Sequence, residues 1–194
     1  MTYIDWWCSP LCPMTQMNVW SQTGICRYLR NGFQFVRAEG FVVGHVADEG
    51  IMECCASELL RYRRIIDAED ILVFADKEKH WSAAITSDVS ILETMKAAEF
   101  FQCDGIILTG GATGLPPSTT ELQEVKAEAT VPVLLGSGIT ENNVQDFFTA
   151  DAVIVGSSFK HGNIWSGALN ALQVEAFMEK VHTTSNIIIF ILTL

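Results

Sequence analysis

Val131-Pro-Val-Leu-Leu-Gly-Ser-Gly-Ile-Thr140 and, after a short polar stretch, Ala152-Val-Ile-Val-Gly-Ser-Ser-Phe-Lys160 decide how this chain is read. Each is a short apolar run that stops at Gly-Ser. A continuous apolar run bounded by glycine is the pattern of a parallel strand buried on both faces. Glycine at such an ending lets the backbone take positive φ and turn its amides toward an anion. The two endings read as a phosphate cradle made of Gly136, Ser137, Gly138, Gly156 and Ser157. The plainer reading of the same residues is a pair of tight strand-to-helix turns.

Working outward, the strand-then-helix order repeats. Upstream, residues 106–108 are an apolar run followed by the turn Gly110-Gly-Ala-Thr-Gly114 and by Ser118-x-x-Glu121, a capping box that opens a helix holding Leu122 and Val125. Before that, residues 71–75 run apolar into Asp76, and Ser90-x-x-Glu93 opens a helix with Leu92, Met95 and Ala98 on one side. Earlier still, residues 33–38 read as a strand, 39–50 as a long polar loop and 52–66 as a helix ending in Arg61, Arg63 and Arg64, where cations favour the helix dipole. Downstream of the first quoted run, Thr140 is a candidate N-cap and Val144, Phe147 and Phe148 the buried side of a short helix. Residues 171–182 form the last amphipathic helix, with Val174, Phe177, Met178 and Val181 inside. Five strands thus alternate with helices along one continuous domain, residues 33–182. Outside it, 1–18 show no period and read as irregular, 19–30 as a helix stopped by Asn31-Gly32, and 183–194 as an apolar tail.

The totals narrow the function classes. A length of 194 residues and an apolar content of 49% suit one domain with an ample core. Twelve basic against 23 acidic residues, a net charge of −11, exclude a broad nucleic-acid surface, because nothing offsets phosphate repulsion over a patch. A compact cluster of amides can still hold one phosphate. The six cysteines form no CxxC and no paired His spacing, so reduced buried thiols are expected rather than a disulfide framework or a zinc site. The N-terminus has neither the basic start nor the sustained apolar region of a secretory signal, and residues 187–194 are far too few to span a bilayer, which leaves the cytoplasm as the default and no membrane partner.

Two architectures suit a parallel sheet with helices. A dinucleotide fold needs G-x-G-x-x-G, and here Gly136-Ser-Gly138 is followed by Ile139, Thr140 and Glu141 without the third glycine. A phosphate-binding barrel places its anion loops after its last two strands, where the Gly-Ser endings fall. The expected fold is therefore α/β of the (β/α)8 TIM-barrel type, incomplete, since a full barrel takes roughly 250 residues.

Residues 32–182 resemble the BtpA/SgcQ family. The motifs that carry the resemblance are Phe35-Val-Arg-Ala-Glu-Gly40, Ala47-Asp-Glu-Gly-Ile51, Leu59-Leu-Arg-Tyr-Arg63, Ile85-Thr-Ser-Asp-Val89, Asp104-Gly-Ile-Ile-Leu-Thr-Gly110, Ala112-Thr-Gly114, Val131-Pro-Val-Leu-Leu-Gly-Ser-Gly138 and Ile154-Val-Gly-Ser-Ser-Phe-Lys160. The resemblance implies a ribulose-phosphate-binding type of barrel of which the last five β/α units are present and the first three strands absent. Residues 76–84 are one residue short against the family pattern, and Ala84 stands where a second histidine is usual. The implied functions are binding of a small phosphorylated metabolite, an enzyme of unstated reaction, or an assembly factor of the photosystem I biogenesis kind. An N-terminally truncated product with neither role is the third reading.

Side chains at the C-terminal ends of barrel strands converge on one mouth. Asp76 and Glu39 are the candidate acid/base residues, joined by His80 four residues beyond Asp76. Asp76 reads equally well as a cap of the following loop. Thr109, Thr113, Gly114 and Asp48 are candidate substrate contacts, and Lys160 could add a charge to the cradle. Arg37, on a strand, reads as an internal ion pair rather than a substrate contact. His45 and Glu49 lie in the first long loop. No cofactor is implied with certainty; a divalent cation held by Glu39, Asp48, Asp76 and His80 is chemically reasonable for oxygen and imidazole ligands. Five strands would leave two sheet edges through which copies of the chain could associate.

Overall fold

A computed structural model describes residues 12–14, 16–17, 35–47, 50–77, 88–111, 114–182 and 187–192. Its centre is five parallel strands, β3 (Phe35–Glu39), β6 (Leu72–Lys77), β7 (Gly105–Thr109), β8 (Val133–Gly136) and β9 (Ala152–Val155), paired side by side in that order. Between β3 and β6 come a hairpin of β4 (His45–Ala47) and β5 (Gly50–Met52) and the helix α1 (Ala56–Ile65). Helices α2 (Ile91–Phe100), α3 (Thr119–Glu128) and α4 (Ala171–His182) follow β6, β7 and β9. After β8 there is only the 3-10 turn Val144–Phe147, with Val144 and Phe147 buried. The chain is α/β, of the (β/α)8 TIM-barrel type, and incomplete.

Period-two alternation explains the layers. On β3, Val36 and Ala38 face the helices, while Phe35, Arg37 and Glu39 share the opposite face. An inner cluster of Phe35, Phe74, Ile107, Leu134, Ala152 and Ile154 fills the barrel interior; a larger outer cluster joins the strands to the helices. The rings of Phe35 and Phe74 stack at 4.8 Å between centroids. A β-carbon on Gly105 would meet Phe74 at 2.8 Å, so only glycine lets that ring fill the interior.

At the N-terminal rim the same device occurs twice. Asp104, just before β7, accepts both the Val73 amide and Arg63 Nη1 at 2.8 Å; its own amide donates to the Val73 carbonyl. Asp151, just before β9, accepts the Val133 amide and Lys126 Nζ at 2.7 Å; its own amide donates to the Val133 carbonyl. Each aspartate locks two neighbouring strands and the helix that precedes them.

The structure corrects several expectations. The terminal segments pair with the sheet: β10 (Ile188–Leu192) lies parallel to β9, β1 (Cys12–Met14) parallel to β10, and β2 (Gln16–Met17) parallel to β3. The full order β1-β10-β9-β8-β7-β6-β3-β2 therefore begins and ends on stretches with only residue 15 between them in the chain, and the sheet curls round on itself. The two edges left by five strands are thus paired by segments expected to be irregular or outside the domain. The polar loop after β3 forms the hairpin, which delays α1 to Ala56 instead of residue 52. Ser90 and Glu93 form the expected capping box, whereas Ser118 makes no side-chain cap. Strand β8 starts at Val133 rather than 131, beyond Pro132, which has no amide to donate. The helix expected at 19–30 lies outside the described residues. Cys103 is buried and Cys55 half-buried, their thiols pushed up to about 12 by burial, while Cys54 is exposed, against the expectation of buried thiols throughout.

Candidate active site

The mouth is built by the last inward positions of the strands. Glu39 and Asp76 are register partners on β3 and β6, and Thr109 pairs with Gly136 across β7 and β8. Arg37 lies one inward position below Glu39. Arg37, Glu39, Asp76 and Thr109 are all buried, an unusual concentration of charge that a barrel interior tolerates only when it is paired. Arg37 supplies the pairing: its Nε donates to Asp76 Oδ2 at 2.5 Å and its terminal nitrogen contacts the same oxygen. The Asp76 side chain is fully buried, and its other oxygen, Oδ1, has no hydrogen-bond partner among the described residues. Burial pushes the carboxyl up to about 6; Arg37 opposes that rise and the neighbouring Glu39 adds to it. Asp76 is therefore an interior group; the loop it could cap lies outside the described residues.

The Gly-Ser endings are unlike each other. After β8, positive φ falls on Ser137 (75°) and Gly138 (68°). A β-carbon on Gly138 would sit 2.2 Å from the Pro116 nitrogen, so the loop after β7 packs directly on this glycine. The Gly114 amide donates to Ser137 Oγ at 2.8 Å and ties the same two loops together. Asn143 holds the turn from below, donating through Nδ2 to the Gly138 carbonyl at 2.9 Å and accepting the Thr140 amide at 2.8 Å. After β9, Gly156 has an ordinary negative φ of −121° and Ser157 begins a 3-10 turn, Ser157–Phe159. Lys160 is buried with its ammonium donating to the Trp165 carbonyl, which ties down the 160–169 loop.

Among the candidates, the structure brings together Glu39, Asp76, Thr109 and Gly136, and joins Gly114 to Ser137. Thr113, Asp48, Glu49 and His80 lie outside the described residues. His45, on β4, lines a cavity of about 60 Å³ together with Gly40, Asp76 and the α2 residues Thr94 and Met95. That cavity includes the outward-facing Ala75, Ile106 and Leu108, so it flanks the barrel wall rather than filling the mouth. No group of three His, Cys, Asp or Glu side chains that could hold a metal occurs among the described residues. Two contributors escaped the reading of the sequence as site residues. Asn143 left no signal, because its role depends on a turn closing. Arg37 did leave one: it alternates with Phe35 and Glu39, which places it on the interior face.

An α/β chain with its charged side chains gathered at the C-terminal ends of parallel strands belongs to the barrel class in which that end carries the site. Solved structures agree on the fold. A dipeptide epimerase from Enterococcus faecalis superposes with a TM-score of 0.55 at 10% identity, over 93% of this chain and 47% of that one. A mandelate oxidase variant carrying an FMN adduct gives 0.54 at 12% identity, over 94% and 56%. The family model described as the BtpA family matches residues 27–183, and the chain belongs to that family. It is 48% identical over 153 residues to an uncharacterized mitochondrial protein of Caenorhabditis elegans, covering 78% of this chain and 55% of that protein. It is 38% identical over 152 residues to the photosystem I biogenesis protein BtpA of Synechocystis, covering 76% and 52%. The chain thus spans about half the length of these relatives. No helix among the described residues is long and apolar enough to cross a membrane.

Proposed function

We propose that the chain is a BtpA-family barrel that binds a small phosphorylated metabolite at its mouth, with Asp76 as the acid/base group of a metabolic reaction. The observation that carries this reading is the fully buried Asp76 carboxyl with its partnerless Oδ1, raised to about 6 by burial. A carboxyl in that range exchanges a proton near neutrality, which is what proton-transfer catalysis needs. Glu39 is its neighbour at the same level, and the turn at 136–138 supplies the phosphate site. Thr109, Thr113, Gly114 and Asp48 are the proposed substrate contacts, and Ser157 closes the phosphate site from β9.

The reading is tested by heat denaturation in the presence of inorganic phosphate and of ribulose 5-phosphate. Binding at ten times Kd should raise Tm by about 4 °C, and Ser157→Asp should cancel the rise. Gly138→Asp is a poor probe, because its β-carbon would collide with Pro116 whether or not a ligand binds. If neither compound moves Tm, the reading fails. The name of the Synechocystis relative favours a second function, an assembly factor; its mark would be a stoichiometric protein partner in a pull-down combined with indifference to phosphate. A chain with neither role is the third reading, marked by indifference to phosphate and no partner. For location we propose the cytoplasm, with the mitochondrion as the alternative suggested by the C. elegans relative; fractionation separates the two.

A further inference from the structure

We propose that Arg37 is the cationic half of the anion site, and that an anion seated at the 136–138 turn draws its guanidinium from Asp76, which then takes one proton from solvent. The inference rests on the phosphate-site reading above and adds to it a residue and a linkage. Its first support is position. The Cζ of Arg37 lies 4.0 Å from the point where a β-carbon on Gly136 would sit. Strands β6 and β7 separate β3 from β8 in the sheet, so the side chain crosses the barrel interior and delivers its charge to the base of the turn while still bonded to Asp76.

The second support is charge. Arg37 and Lys160 are the buried cations among the described residues, and the Lys160 ammonium is tied to the Trp165 carbonyl. In a chain of net charge −11, with Glu39 and Asp76 facing the same interior, amides alone would hold an anion against two carboxylates. A guanidinium beside the turn reverses that field and offers its forked donors to two oxygens at once.

The third support is the carboxylate itself. The Nε and a terminal nitrogen of Arg37 both reach Oδ2, and Oδ1 has no hydrogen-bond partner among the described residues, so losing the guanidinium takes from the buried carboxylate the cation that offsets its desolvation. Protonation is the inexpensive response. Among the described residues, the charged or titratable groups around it are Arg37 and Glu39 from β3 and His45 from the hairpin. Helix α2 presents Ile91, Thr94, Met95 and Ala98, and β7 presents Ile107 and Thr109, none of which carries a charge.

Sulfate is the cleanest probe because it does not titrate near neutrality. Calorimetry of sulfate binding at pH 7, in two buffers of different ionisation enthalpy, should give an uptake approaching one proton. Sulfate affinity should fall as pH rises from 6 to 8, by up to about tenfold per unit. Asp76→Asn should bind sulfate with no proton uptake, and Arg37→Lys, which keeps the charge but not the fork, should weaken it about tenfold. Sulfate binding to the unaltered protein without proton uptake, or with the same affinity in Arg37→Lys, overturns the inference and leaves the phosphate site standing. Failure of both anions to bind the unaltered protein overturns the two together. The uptake measurement needs no variant to fold.

Discussion

Asp104 and Asp151 at the N-terminal rim and Asp76 at the mouth are carboxylates of one sheet in opposite circumstances. Each rim aspartate accepts a strand amide and a cation from the preceding helix, and each keeps part of its side chain in water. Asp76 has one cation among the described residues, a side chain shut off from solvent and an oxygen left over. The rim aspartates are bonded to strand and helix and keep contact with water, and so serve stability. The mouth retains an unspent hydrogen-bonding group in its interior, and that asymmetry is the physical content of the division between a stabilising face and an active face in barrels.

The comparison can be broken most directly at Arg37. Arg37→Leu strands a buried carboxylate and should cost about 3–5 kcal/mol in urea denaturation at pH 7, with much of the loss regained at pH 4, where Asp76 is protonated. The matching rim change, Arg63→Leu, leaves Asp104 its amide and some water and should cost about 1 kcal/mol. Equal costs would erase the distinction. Gly138→Ala should cost about 3 kcal/mol, since it forces both a left-handed φ and a collision with Pro116; thermal denaturation checks it.

The pH dependence carries a definite sign. The Asp76 carboxyl is raised from 3.8 to about 6 in the folded protein, so the folded state holds this proton more tightly than the unfolded chain does. Its stabilising contribution is complete below pH 4 and is lost as pH rises through 6, a fall of about 3 kcal/mol. Urea midpoints from pH 4 to 7 should show the decline, and Asp76→Asn should flatten it. The smallest expected effect is Lys126→Met at the rim, about 0.5 kcal/mol and shrinking further in salt. A larger value there would mean that the rim, too, is electrostatically loaded.

Much of the architecture was legible because burial on both faces writes itself as uninterrupted apolar runs. Residues 152–155 and 171–182 emerged with the bounds expected of them, and Ser90 with Glu93 closed the box its spacing promised. Where tertiary contacts overrule local pattern, the sequence was mute. Ser118 has the spacing of a cap and makes none, and positive φ fell on Ser137, a residue that rarely accepts it, rather than on Gly136 or Gly156. The segments at 12–14 and 188–192 take strand form by pairing with each other, the latter also with β9, and residues 16–17 by pairing with β3. For the site, the charged strand endings Glu39 and Asp76 could be located by position alone, but the reach of Arg37 across the interior is a distance, and no pattern in one dimension encodes it.

The closing of the sheet has a kinetic corollary. Cys12 pairs with Phe190, so this contact joins nearly the two extremes of the chain, whereas the contacts among β6, β7, β8 and β9 link successive strands. Loop entropy opposes the long connection far more than the short ones. The five central strands should therefore assemble first and hold their edges exposed, and the rate at which the ends find each other should govern how long an unfinished sheet is available to unwanted neighbours.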